Sequence, residues 1–598
     1  MESGTLAVIN GGKLQVGDTP AANDLLVASN MIISGAGSSV TVNGVTGIGI
    51  LGPATLSISS GGVLNSQGGA EIDSILGTPT ATVTGPGSTW NVGGFGLSVG
   101  GGSIGNPGML TISNGAVVNT NVTFIGDSAD GSSTVLVTGT GSRLTATTGL
   151  SIGGEDCGCG PLVGTLAIAD GGVVEAADTR ILANSTLRLG IGGLGGTLIT
   201  PTLRNDGAIV ANFTDTVTLA ARISGSGTLS KAGTGTLILT GNSSYSGATT
   251  VNAGTLVVNG SIANSAVTVN SGATLGGAGV VGATTINSGG IFAPGTAGTP
   301  AAMTVQGNLA FQSGALYLVR VTPSNASSDK VTSGGTASLA GTVQAAFASG
   351  TYATRAYTIL SAAGGLGGTT FNSLTTTNLP AGFAASLSYT NSEVILNLTA
   401  QLHTNAISAN GLSANQKNVA TALENFFNNG GTLPPGFVSV FGLTGSNLGN
   451  ALSQLSGEAA TAGQQGAFQM GNQFLGLMLD PFVDGRNGAA GGGGPAIAFA
   501  PEREPVPDEI ALAYAAVLKA PAVPAPTFEQ RWSAWGSAYG GSNRTSGDPA
   551  VIGSHDLSAR TAGFAGGLDY RLTPNTVVGV ALAGGGTNWS LAEGLGGG

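Results

Sequence analysis

Over about the first 400 residues, apolar and polar residues alternate in short runs punctuated by Gly, Asn and Ser. Residues Thr234 to Gly260 show the pattern most clearly: TGTLILTGNSSYSGATTVNAGTLVVNG. Alternation puts Leu237 and Leu239, or Leu256 and Val258, on one face of a strand. This predicts strands at Thr236–Thr240, Ala248–Val251 and Thr255–Asn259, joined by turns at Gly241–Ser244 and Asn252–Gly254. Strands this short are unstable alone. A stack of such units, each burying its apolar face on the next, is stable, and that architecture is a β-solenoid.

Two interleaved motifs support the stack. GTLAVINGGKL from Gly4 recurs as ATLSISSGGVL from Ala54, GMLTISNGAVV from Gly108 and GTLAIADGGVV from Gly164, in steps of 50, 54 and 56. GAGSSVTVNG from Gly35 recurs as GPGSTWNVGG from Gly85 and GTGSRLTATTG from Gly139, in steps of 50 and 54. Each unit has room for two or three coils of about 20 residues, giving a rod on the order of 100 Å long. Variable spacing implies loops projecting from one side, at Val16–Leu25, Ile125–Ser133 and Glu155–Pro161. Gly-Thr-Leu strand starts continue at Gly196, Gly227, Gly235 and Gly254. Longer strands with more aromatics follow at Gly314–Val321, Thr342–Phe347, Ala356–Leu360 and Glu393–Leu398, which predicts the best-packed end of the rod there.

Near residue 403 the period changes from 2 to 3.6. Ser413 and Gln416 form a capping-box pattern, and Val419, Leu423, Phe426 and Phe427 share a helical face. A second helical stretch is predicted from about Leu448 to Asp480, and a short third from Asp508 to Lys519 after a Gly/Pro linker at 485–507. Past Pro526, alternation returns in runs of about ten residues: RWSAWGSAYG from Arg531, TAGFAGGLDYRL from Thr561, and Thr576–Ala583. Ala562, Phe564, Leu568, Tyr570 and Leu572 face one way, Thr561, Asp569 and Arg571 the other, and Val578, Val580 and Leu582 face outward. Such segments are the weak signature of a membrane β-barrel. Three strands are too few to close a ring.

Composition narrows the class. Gly is 106 of 598 residues, without the strict triplet of collagen. An apolar share of 41% excludes simple disorder. A net charge of −11 leaves no basic footprint for nucleic acid. No apolar run is long enough for a membrane-spanning helix. The start, Met1-Glu2-Ser3-Gly4-Thr5-Leu6, has no signal-peptide pattern, so an export signal is expected upstream.

Catalytic patterns dissolve on inspection. Gly-x-Ser-x-Gly occurs at 96–100, 101–105 and 149–153, but none precedes a helix, and the two histidines, His403 and His555, lie far along the chain. The glycine pattern Gly277–Gly282 continues into strands and has no acidic residue about 20 positions on. Asp127 and Asp130 fit solvated turns, since the repeated calcium nonapeptide is missing. No catalytic, cofactor-binding or metal-ligating residue is assigned, and no cofactor is expected.

The order of solenoid, helical connector and barrel strands resembles a type V autotransporter of Gram-negative bacteria. Thr234–Gly260 resembles the passenger-associated transport repeat of that family. Leu455-Ser456-Gly457-Glu458-Ala459-Ala460 through Asp480-Pro481-Phe482, then Trp535-Gly536-Ser537-Ala538-Tyr539-Gly540-Gly541, resembles its junction and first barrel strand. The resemblance implies a right-handed parallel β-helix passenger at 1–222, C-terminal coils with the transport repeat at 223–402, a helical junction at 403–527 and the start of an outer-membrane barrel at 528–598. It implies a non-enzymatic, adhesive or structural role at the cell surface. The implied partners are outer-membrane lipid, the barrel-assembly machinery, and surfaces or glycans of host or neighbouring cells. Against the family pattern the chain looks truncated at both ends, which keeps a gene fragment open as an alternative, beside a passenger carrying a hydrolase or lyase site. Cys157 and Cys159, one residue apart, suit passage through a narrow pore, as would two small residues in a turn; with only Glu155 and Asp156 nearby, a metal site is disfavoured.

Overall fold

The computed structural model describes residues 4–17, 24–74, 76–100, 106–126, 132–154, 163–295, 300–323, 327–350, 352–402, 411–429, 431, 434–480, 483, 531–573 and 575–598. The chain divides into two compact units, one ending at Thr399 and one beginning at Ala400.

The first unit is a parallel β-helix. Among the described residues, one wall is a fifteen-stranded sheet running from Thr5–Ile9 to Ala337–Ser338, each strand paired in parallel with its counterpart one coil on. A second sheet supplies two further walls, fused where Val117–Ile125 and Arg143–Ile152 run through both. Sheets beginning at Thr216–Leu219 and Ser261–Ile262 carry these walls onward. Thr5, Asn30, Thr55 and Thr80 stand in register, so the early coils hold 25 residues, not about 20. Each repeat of about 50 residues is therefore two coils. Coils tighten later: Asn252 and Asn270, 18 residues apart, bond across adjacent coils.

The two motifs alternate because each completes the other's corner. In the first motif, Asn10 (φ 56°) and Gly11 (φ 80°) are both left-handed, and Gly12 N–H donates to Ile9 O at 3.0 Å. This is a type I′ turn, the geometry that favours Asn-Gly. Ser60-Gly61, Asn114-Gly115 and Asp170-Gly171 repeat it. The second motif sits one coil on and supplies a buried serine. Gly11 N–H donates to Ser38 Oγ, Gly61 N–H to Ser88 Oγ and Gly115 N–H to Ser142 Oγ, each at 3.0 Å. The three serines are fully buried. A donor that the tight turn leaves without a strand partner is thus satisfied from the next coil.

Inside, equivalent positions stack into one apolar column: Met31, Leu56, Leu110, Leu166, Ile209 and Leu229 follow one another along the first sheet, all buried. The strands expected between Thr234 and Gly260 form at Thr236–Leu239, Thr249–Val251 and Gly254–Val258, with Leu237, Leu239, Leu256 and Val258 in the core. Towards the end of the unit the core turns aromatic. Phe292, Phe311, Tyr317 and Phe371 touch with ring centroids 5.2 to 6.0 Å apart. The last strands depart from the expected coil. Glu393–Ala400 pairs antiparallel with Arg355–Ala362, with Phe383–Tyr389 beside it. The reversal is confined to this wall; the other walls end on the parallel strands Ala337–Ser338 and Ser373–Thr377.

In the second unit, helix α1 spans Ala414–Asn428 with the expected capping box: Gln416 N–H donates to Ser413 Oγ at 3.4 Å, and Ser413 N–H to Gln416 Oε1 at 3.0 Å. Leu423 is buried and Phe426 is exposed, so the apolar face is narrower than its sequence pattern. α2 is Pro435–Val438. The stretch expected as one helix from Leu448 to Asp480 is two, α3 at Gly445–Gln454 and α4 at Glu458–Leu479, broken where Gly457 turns left-handed (φ 78°). The helix expected at 508–519 and the linker at 485–507 lie outside the described residues.

Three antiparallel strands follow, Trp532–Thr545, Leu557–Thr573 and Thr576–Leu591, of 14, 17 and 16 residues. They exceed the expected ten because Gly541 to Thr545, loop-like in composition, pair with Thr561 to Leu557. Phe564, Leu568, Val580 and Leu582 are exposed on one face. α4 lies against the other: at its start Ala462 packs with Leu557 and Leu591, beside Ala459 and Trp589, and at its end Phe474, Leu477 and Met478 pack against Trp535 and Ala565. No described helix is long and apolar enough to cross a membrane, which says nothing of strands.

Candidate functional site

Outward positions of the β-helix carry side-chain ladders. Asn119 Nδ2 donates to Asn91 Oδ1 at 2.9 Å, and Asn91 Nδ2 to Asn65 Oδ1 at 2.9 Å. A second ladder links Asn287 to Asn270 at 2.7 Å, Asn270 to Asn252 at 2.8 Å, and Asn252 to Ser230 at 3.1 Å. The Asn–Asn rungs use a parallel register that places identical side chains one above the next, while Asn252 reaches Ser230 diagonally. The surface they create is polar, uncharged and fixed in orientation.

Serines in the Gly-x-Ser-x-Gly patterns do not form nucleophile elbows. Ser98 lies within the strand Leu97–Val99 and is buried, while Ser151 lies in Arg143–Ile152 and its Oγ donates to Gly154 O. The pattern at 101–105 lies outside the described residues, as do Cys157, Cys159, Glu155, Asp156, Asp127, Asp130 and His403. The Gly277–Gly282 stretch holds a strand end, a turn and the strand Val280–Val281, as expected. Among the described residues no group of three or more His, Cys, Asp or Glu side chains is placed to hold a metal. The projecting loops at Val16–Leu25, Ile125–Ser133 and Glu155–Pro161 lie partly or wholly outside the described residues.

Three charged sites escaped the sequence reading. Lys231 is inward-facing and fully buried. Its Nζ donates to Ala232 O at 2.7 Å and Gly233 O at 2.9 Å, and stands 5.1 Å from the Phe213 ring centroid. Burial lowers its pKa to about 8. Alternation from Leu229 already placed Lys231 on the apolar face. Asp329 is buried between Arg320 Nε at 2.8 Å, Arg320 N–H at 3.0 Å and Ala301 N–H at 2.9 Å. Desolvation still raises its pKa against these bonds. In the second unit, His555 N–H donates to Glu458 Oε1 at 2.6 Å, and His555 Nδ1 lies 2.8 Å from Glu458 Oε2. This joins the start of α4 to the connection between the first two barrel-type strands.

Comparison with known proteins adds two findings. Residues 229–258 match the family described as the passenger-associated-transport-repeat. The chain is 32% identical over 294 residues, 45% of its length, to the adhesin BmaC autotransporter of Brucella suis biovar 1 (strain 1330). It spans 8% of that protein's length.

Proposed function

We propose that this chain, built as a type V autotransporter passenger followed by barrel-type strands, is a rod displayed at the outer-membrane surface and used for adhesion rather than catalysis. The observation that supports this best is the division of exposed surface. Residues before Thr399 present neutral polar ladders suited to contact with another surface, while Phe564, Leu568, Val580 and Leu582 present an apolar face suited to lipid. The relative's name as an adhesin points the same way.

In this reading, residues 1–222 make the contact. Residues 223–402 hold the transport repeat and the aromatic end, which folds first outside the membrane and draws the rest after it. Residues 403–527 form the junction, and 528–598 engage lipid and the barrel-assembly machinery. Contacts are with host or neighbouring cell surfaces, including their glycans. The test is surface display of the chain within a full translocator in a Gram-negative host, comparing attachment to epithelial cells and to sister cells with and without residues 1–222. Attachment that depends on those residues is expected. Equal attachment at equal surface density overturns the adhesive reading. Deleting residues 303–400 is expected to lower surface yield; an unchanged yield overturns the folding order.

A further inference from the structure

Two concavities on the β-helix, of about 430 and 690 Å³, meet at Thr147. The smaller is lined by Gln67, Asn91, Asn119 and Asn121, the larger by Thr145, Glu175, Ile199 and Thr218 among others. Together they follow the bend between two walls, where Val117–Ile125 shifts register between Thr120 and Val122. From the coil of Ser66 to that of Thr218 they cross seven coils, about 30 Å at the strand spacing. We propose that this groove is a binding site for an extended neutral glycan. The proposal rests on the adhesive reading and names the site and ligand class within it.

Four features select that ligand. The first is held amide donors. A primary amide has two N–H groups, and the ladder from Asn119 through Asn91 to Asn65 uses one per rung, leaving the other oriented beyond the ladder. Asn121 is held separately: its Nδ2 donates to Gly94 O at 2.7 Å, and its Oδ1 accepts from Val122 N–H at 2.8 Å. Donors fixed in advance lose little entropy on meeting hydroxyls.

The second feature is neutrality. Among the residues lining the groove, the one charged side chain, Glu175, is in an ion pair with Arg143, whose Nε also donates to Thr145 Oγ1 at 3.3 Å. An anionic polymer finds no unpaired cation in that lining. The third is an apolar ledge. Ile199 is 47% exposed within the larger concavity, beside Ala177 and Pro201, a surface for the C–H face of a pyranose ring. The fourth is shape: a trough about seven strands long fits a chain of sugars better than a single small molecule.

The test uses the full chain in detergent micelles, titrated with maltohexaose, cellohexaose, mannohexaose and a heparin hexasaccharide, alongside Asn91→Ala/Asn119→Ala and Asn270→Ala/Asn287→Ala. The second double variant breaks an equivalent ladder outside the groove and so controls for stability. At least one neutral hexaose is expected to bind, at least tenfold more weakly to the first double variant and within twofold of the wild type to the second. Binding of heparin alone, no binding of any neutral hexaose, or equal loss in both variants overturns the proposal. Attachment of displaying cells is scored in parallel. Cells that attach while the protein binds no hexaose overturn the groove and leave adhesion standing; a protein that binds hexaose on cells that do not attach overturns adhesion and leaves the groove.

Discussion

The ammonium of Lys231 stands 5.1 Å from the centroid of the Phe213 ring, inside the apolar column of the β-helix. Burial lowers its pKa from 10.5 to about 8. A depressed lysine pKa means the folded chain releases its proton before the unfolded one does. Stability therefore rises with pH between about 8 and 10.5, and is insensitive to this group below that window. The rise is on the order of 3 kcal/mol. Lys231→Met should remove it. Urea unfolding of both proteins at pH 7.5 and pH 10 checks this, and parallel pH dependences would refute it.

Ser88 accepts the Gly61 N–H across one coil and is fully buried. Ser88→Ala leaves that donor without a partner and should cost about 1–3 kcal/mol. Because coils couple chiefly to neighbours, the damage should be local. Amide exchange should quicken at Gly61 and its flanking strands and stay unchanged near Tyr317. Uniform quickening along the rod would contradict the interlock.

Ser60 holds a left-handed backbone (φ 52°) where the matching turns carry Asn10 and Asn114. Asn enters that region more readily than Ser. Ser60→Asn should stabilise the chain by about 0.5 kcal/mol or more, read as a higher unfolding midpoint. A lower midpoint would show that the turn is held by something other than its backbone geometry.

Glu458 accepts both from the backbone and at the ring of His555. Glu458→Ala should loosen the start of α4 from the strands, with faster exchange at His555 while the α1 amides stay protected. If His555 exchange is unaffected, the contact does not hold the helix.

The coil-by-coil fold was legible because two simple periods carried it. Alternation set the strands, and the recurrent Asn-Gly and Gly-x-Gly-Ser corners set the spacing. Coil length is not uniform along the chain: a period of about 20 suits the later coils, and the early ones hold 25 residues. The break between α3 and α4 had a local signal in Ser456-Gly457-Glu458, overridden by the long apolar pattern on both sides. The antiparallel end had none, since a strand reads the same in either direction. Of the polar surface, the groove depends on a bend that periodicity does not encode. Alternation from Leu229 places Lys231 inward, against the ordinary preference of a charged side chain for solvent.

The alternating corners also constrain how such a gene can change length. Losing a single coil of the serine-bearing kind would set two left-handed corners, such as Asn10-Gly11 and Ser60-Gly61, side by side, with no serine between them to accept from the exposed amide. Losing or copying a pair restores the match at the new junction. Recombination between the duplicated stretches, which are themselves about fifty codons apart, removes or adds just such a pair. The rod can thus shorten or lengthen in steps of about 10 Å without a misfit, as a telescoping pole moves between its notches.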